Sequence, residues 1–202
     1  MRMSTSVLSG VLAVALGVAL AAQAPQGAPG GQGRGGGRGG GRGFNLPPLL
    51  METEAFPDGG IVPSKYAGRG GVQPGFKFSG APESTVSYAI IFHDLDVALM
   101  GGTDDVLHWA VWNIPASAMG IPEGKLPDGA VQGGRGAYAG PGAPAGPRYH
   151  HYVFELYALN SNLDLPAGSG RPELLKAMEG KVVAKAAYVG RFRGEAAAGR
   201  GN

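Results

Sequence analysis

The feature that most constrains this chain is the run from residue 27 to 43, which holds 11 Gly and whose only charged residues are Arg34, Arg38 and Arg42. A segment without a large apolar side chain cannot offset the entropy of ordering its own backbone. It therefore divides the 202 residues into stretches to be read separately. The 159 residues that follow it keep 25 of the 38 Gly. That length suits one domain able to bury on the order of 70 % of its unfolded surface.

Charge divides at the same place. The whole chain is formally +2, but 4 of its 17 basic residues and none of its 15 acids precede residue 44. The remainder carries 13 basic and 15 acidic residues, a net of −2. A folded domain with that balance lacks the electrostatic footprint of a nucleic-acid binder. RGG-like tracts can track nucleic acid, but three arginines are too few for strong phosphate binding, and residues 25–43 are expected to be a disordered, solvated tether. The chain has no Cys. This excludes a disulfide framework, a thiol nucleophile, Cys-ligated zinc and a lipidated cysteine.

Residues 1–24 begin with Arg2, continue through an apolar run from Val7 to Ala22 and leave through small residues. This is the layout of a secretory signal peptide, with cleavage expected after Ala21 or Ala24. The run is too short and too rich in Ala and Gly for a typical membrane anchor. The mature protein is thus expected to be secreted or periplasmic, with no stable membrane span.

Beyond the tether the sequence reads as mainly β. Residues 85–93 form a β-branched and aromatic run. Residues 106–114 alternate, with Leu107, Trp109 and Val111 predicted on one face and His108, Ala110 and Trp112 on the other. Residues 150–159 alternate His150, Tyr152, Phe154 and Leu156 against His151, Val153, Glu155 and Tyr157. Residues 181–192 suggest a last strand or strand-helix segment. One helix is predicted, with Pro172 at its start, Leu174, Leu175 and Met178 as its apolar stripe and Gly180 as its stop. Strands between long Gly/Pro loops, with few helices, imply a β-sandwich-like or α+β domain over 44–193 and a flexible tail over 194–202.

The four histidines, His93, His108, His150 and His151, all fall in or at the ends of predicted strands. Asp94 and Asp96 are two apart, so on an extended chain they share a face. Gly140, Gly142 and Pro144 lie in the loop that leads into His150. Three chemistries would use such a set. A metal would accept the imidazoles and carboxylates, but no HxH or HxxxH spacing is present. A hydrolase would use His108 or His150 as base, but no GxSxG element accompanies them. Anion binding needs only His donors, a Tyr hydroxyl and glycines that let backbone amides approach. His93 is expected at a strand end on the surface, with the pocket rim as the alternative, Trp109 in the core, and Trp112 either in the core or at the floor of a pocket.

The order Asp94-Leu95-Asp96, then His108-Trp109 opening a strand that ends Val111-Trp112-Asn113-Ile114-Pro115, then Tyr138 to Gly146 running on to His150 and Tyr152, resembles the phosphatidylethanolamine-binding protein family. It is most similar to the bacterial, Raf-kinase-inhibitor-like branch, over about residues 56–193. The resemblance implies a β-sandwich of a large and a small sheet with a few short peripheral helices. It also implies a small anion pocket lined by Asp94, Asp96, His108, Gly140, Gly142, His150 and Tyr152, without catalytic residue, metal or cofactor. The implied ligand is a small anionic or phosphorylated molecule such as a phospholipid headgroup, with an inhibitory role toward an unidentified protein partner as a further implication. The alternative is a hydrolase or metal-dependent enzyme using the same Asp and His groups. Three departures fall on the pocket wall. The family's Asp-Pro-Asp-Ala-Pro run lacks both prolines here, an aromatic residue is replaced by Val106, and an Arg is replaced by His151.

Overall fold

The computed structural model describes residues 48–195. The predicted signal peptide and tether lie outside them. The strands are β1 (Leu50–Glu52), β2 (Gly60–Ile61), β3 (Phe76–Ser79), β4 (Ser87–Asp94), β5 (Val106–Pro115), β6 (Gly120–Ile121), β7 (Val131–Gln132), β8 (His150–Leu159) and β9 (Val182–Phe192). Among the described residues one α-helix, α1 (Arg171–Met178), precedes β9.

The strands form two sheets, a small one in the order β1-β3-β6 and a large one in the order β2-β9-β8-β4-β5-β7. The three long neighbours β8, β4 and β5 pair antiparallel, and only β2 runs parallel to its neighbour β9. The inner face of the large sheet contributes Ile90, Phe92, Val111, Phe154 and Leu156, which pack on Met51, Phe76, Phe78 and Ile121 of the small sheet. Phe92 stacks on Phe154 with ring centroids 3.9 Å apart. The outer face presents Ala89, Ile91, Ala110, Trp112 and Leu159 to Leu163, Leu174 and Met178, so α1 covers a second core. Each large apolar side chain fully buried in either layer contributes about 1.5–3 kcal/mol. The mainly-β sandwich with a large and a small sheet is as the sequence predicts.

The details correct the sequence reading in several places. The first long strand begins and ends later than 85–93. On α1, Leu174 and Met178 are buried but Leu175 faces solvent; two side chains suffice for a helix of 8 residues lying on a sheet. Residues 181–192 contain no second helix. Gly194, placed by sequence in the tail, donates to the Ala143 carbonyl at 2.9 Å and bridges to Ala145.

Strand β5 does not alternate simply. Phe92 pairs with Trp109 but His93 pairs with Leu107, so one residue, His108, is extra and forms a bulge. The bulge breaks the simple alternation. Leu107 packs on the outer core with Ala110 and Trp112, whereas His108 stands 5.5 Å from the Phe92 ring on the inner face, beside Trp109. Trp112 is therefore outer core and not a pocket floor, and it is fully buried.

Candidate functional site

The site is built where β4 ends and β5 and β8 begin, on the inner face. Tyr152 is its centre. Its ring lies 5.2 Å from that of His108, edge-on, and 6.4 Å from that of His150, nearly parallel. The tyrosine is completely buried, and its hydroxyl accepts the Gly142 amide at 3.2 Å. Burial, with the Asp94 carboxylate beside it, pushes the phenol well above the usual tyrosine range, so it stays protonated.

Both inner histidines are fixed by a hydrogen bond at Nδ1. In His108 this atom lies 3.0 Å from the carbonyl oxygen of Ala139, and in His150 it lies 2.8 Å from Oδ2 of Asp94. Each oxygen can only accept, so Nδ1 carries the proton in both rings. Nε2 is left as the working atom, and among the described residues it bonds to no partner in either ring. It accepts when the imidazole is neutral and donates when it is protonated.

Asp94 and Asp96 do not share a face. The chain turns after Asp94, and the Asp96 amide donates back to Asp94 Oδ1 at 2.9 Å. Asp96 instead faces His151, accepting its amide at 2.6 Å and its Nδ1 at 2.9 Å. Burial works against ionisation of Asp96, but the two His151 donors outweigh it and hold the carboxyl below its usual range. The structure thus gathers Asp94, His108, His150, Tyr152 and Gly142, and sets Asp96 with His151 at the exposed edge.

The glycines act differently from the expectation that their amides face an anion. The Gly140 amide donates to Gly68 at 2.8 Å, and the Gly142 amide is taken by Tyr152. Gly140 is needed for close approach, because a Cβ there would collide with the Tyr66 carbonyl oxygen and lie 2.9 Å from Ala67 Cα. The Gly68 amide in turn donates to Pro141 at 2.8 Å, and Tyr138 donates to the Tyr66 carbonyl at 3.1 Å. This stitching holds the 138–142 segment, and with it the Ala139 carbonyl that orients His108. Ala139 escapes sequence reasoning because a main-chain carbonyl has no residue-type signature.

His93 is neither on the surface nor at the pocket rim. Its side chain is 4 % exposed on the outer face, with Nδ1 at 2.6 Å from Asp105 and Nε2 at 3.5 Å from Glu155. Arg171, the first residue of α1, closes the cluster at 2.6 Å from Asp105 and 3.7 Å from Glu155. Two cavities of about 790 and 410 Å³ are lined by none of Asp94, His108, His150 and Tyr152: the first lies beside the small sheet around Glu52, Lys77 and Glu123, the second around Gln73, Trp109 and Tyr138. Among the described residues no three His, Asp or Glu side chains gather to hold a metal, and no helix is long and apolar enough to cross a membrane.

Comparison with known proteins matches this frame. Residues 52–193 fit the family model described as phosphatidylethanolamine-binding protein. A UPF0098 protein of Methanothermobacter thermautotrophicus is 39 % identical over 153 residues, covering 71 % of this chain and 97 % of that protein. A Mycobacterium tuberculosis protein named as a lipoprotein, LppC, is 32 % identical over 73 % of both chains. Among solved structures, Escherichia coli YbcL, described as a new member of the mammalian PEBP family, superposes with a TM-score of 0.66 at 27 % identity, over 73 % of this chain and 99 % of YbcL. The PEBP homologue CT736 of Chlamydia trachomatis gives 0.65 at 29 % identity, over 73 % and 98 %. With its two-sheet architecture and a match that spans most of its length, the chain belongs to the phosphatidylethanolamine-binding protein family.

Proposed function

We propose that this chain is an exported binding protein whose ligand is a phosphate-like anion, such as a phospholipid headgroup, reached from Nε2 of His108 and Nε2 of His150. One observation carries the reading. Both rings commit Nδ1–H to an oxygen acceptor, so protonation turns both Nε2 atoms into donors beside the same tyrosine. A phosphate monoester favours that protonation and in return receives charge-assisted hydrogen bonds. Asp94 orients the His150 ring by accepting its Nδ1 proton. Tyr152, Gly140 and Gly142 brace the site without donating to the ligand. Export is supported by the basic and apolar start of the sequence and by the relative named as a lipoprotein.

Calorimetric titration with phosphorylethanolamine at pH 5.5 and pH 8 tests the reading, with tighter binding expected in acid. Equal affinity at both would remove the histidines from the site. Turnover of a phosphoester in the same protein would replace the binding reading by the enzymatic one.

A further inference from the structure

The smaller cavity, of about 410 Å³, falls within the usual size range of a small-molecule site. Its walls are mainly apolar: Val72, Leu126 and the rings of Trp109 and Tyr138, which meet edge to face at 5.7 Å. The polar atoms of both rings are spent inside the protein. Tyr138 donates to the Tyr66 carbonyl at 3.1 Å, and Trp109 Nε1 donates to Oε1 of Gln132 at 2.9 Å. Among the lining side chains this leaves Lys125, at the exposed rim, and one half of each of two glutamine amides, those of Gln73 and Gln132.

Which half is left follows from the partner of the other. An indole N–H can only donate, so Gln132 turns its oxygen to Trp109 and its NH2 group away. A main-chain carbonyl can only accept, so Gln73 turns its nitrogen to Pro74 and its oxygen away. Gln73 is also held through its backbone, whose carbonyl accepts the Gly124 amide at 2.9 Å. Neither Gln132 Nε2 nor Gln73 Oε1 has a hydrogen-bond partner among the described residues, yet neither atom is sealed from solvent. Gln73 is only 6 % exposed and both residues line the cavity, so the open space that these atoms reach is the cavity. A buried amide oxygen without a protein partner is costly unless something in the cavity donates to it.

We propose that this cavity is a second ligand site, for a neutral molecule that carries a secondary amide, such as a capped amino acid or a lactam. The amide N–H donates to Gln73 Oε1, the amide C=O accepts from Gln132 Nε2, and the carbon substituents lie against Trp109, Tyr138 and Leu126. An anion suits the site poorly, because Gln73 presents a lone pair to it. Lys125 is the one charged side chain on the lining, and its exposure leaves ion pairing there screened by solvent. An apolar molecule of the same shape would expel water and leave both amide halves unpaired. The site is separate from the one at His108 and His150, and the proposal does not depend on how that one is read.

The test titrates the full, 15N-labelled chain with N-acetylleucine methylamide and follows side-chain N–H resonances. The Gln132 NH2 and Trp109 Nε1–H signals should shift together along one saturable curve, while Trp112 Nε1–H, buried in the outer core, stays in place. The matching diester, with oxygen in place of each N–H, should bind about tenfold more weakly or worse, because Gln73 Oε1 then faces another acceptor. Ala137 lines the cavity from an exposed position, so Ala137→Trp should fill it and abolish the shifts without changing thermal unfolding. Gln132→Glu keeps an acceptor for Trp109 and removes the donor, and should weaken diamide binding. Absence of a saturable shift at Gln132, equal affinity for diamide and diester, or undiminished binding by the folded Ala137→Trp variant would each overturn the proposal. Displacement of the diamide by phosphorylethanolamine would put it in the anion site instead and overturn the proposal as well.

Discussion

His150 donates its Nδ1 proton to Oδ2 of Asp94 at 2.8 Å, while Oδ1 of the same carboxylate accepts the Asp96 amide at 2.9 Å. One buried side chain thus orients an imidazole and closes the turn that begins the exposed loop. Asp94→Asn leaves one acceptor for these two donors and sets an amide N–H against the other. The variant should lose about 1–3 kcal/mol of stability and bind phosphorylethanolamine about tenfold more weakly, by denaturant unfolding and calorimetry. Undiminished affinity would detach Asp94 from the site.

His108 is half-buried and makes one polar contact with the protein, at the Ala139 carbonyl. His108→Ala should therefore cost only about 1 kcal/mol of stability. Removing a charge-assisted bond to the ligand should cost about 1.5–3 kcal/mol, or roughly 10- to 100-fold in affinity. A large drop in thermal midpoint with affinity intact would reverse that assignment of roles.

The outer-face cluster predicts a pH dependence of stability. Burial alone would lower the basicity of His93, but Glu155 and Asp105 outweigh it and hold the imidazole above its usual range. A raised folded-state value favours the protonated ring in the native protein. Its contribution is fully present below the ordinary histidine value of about 6.5 and is lost as pH rises through the higher folded value. Glu155 is held below the usual carboxylate range, mainly by His93, so its share is present above the ordinary value of about 4.3 and lost as pH falls. These are two sides of one pair and count once. The stability difference between wild type and His93→Gln should be largest between those values and shrink toward pH 9. A difference that grows with alkalinity would contradict the ion-pair account.

Gly140 and Gly142, two positions apart in the same loop, should respond differently to alanine. At Gly140 the new methyl meets Tyr66 and Ala67 backbone on a segment tied by several hydrogen bonds, so Gly140→Ala should cost about 1–3 kcal/mol or more. At Gly142 the nearest atom, the Gly140 carbonyl oxygen, is 4.0 Å away and φ is not positive, so Gly142→Ala should change stability by less than about 1 kcal/mol. Unfolding curves of the two variants decide it.

Much of this was legible in the residues. The alternation of β8 put Tyr152, Phe154 and Leu156 on one face, where they pack, and the two-sheet arrangement followed from the family resemblance. What escaped has specific causes. A bulge adds one residue to a period-2 pattern, and nothing in Val106-Leu107-His108-Trp109 marks which residue is extra; His108 consequently read as a neighbour of Trp112. At the other end of β5, Asn113 takes φ +57, a conformation in which asparagine is enriched, and so carried a usable signal. The burial of His93 depends on Arg171, 78 positions away, and the crowding at Gly140 depends on Tyr66, so neither was readable locally.

His93 and Asp94 are consecutive on β4, yet one belongs to the outer ionic cluster and the other to the inner site. A one-residue slip of this strand would exchange them. Asp94 would then meet the carboxylates Asp105 and Glu155, and His93 would meet the donor face of His150. Along the middle of the strand both faces are apolar and buried, so patterning offers little resistance to such a slip; at this end repulsion between like groups supplies it. The pair works as a register key, so the residues that equip the site also help to dictate where the strand comes to rest.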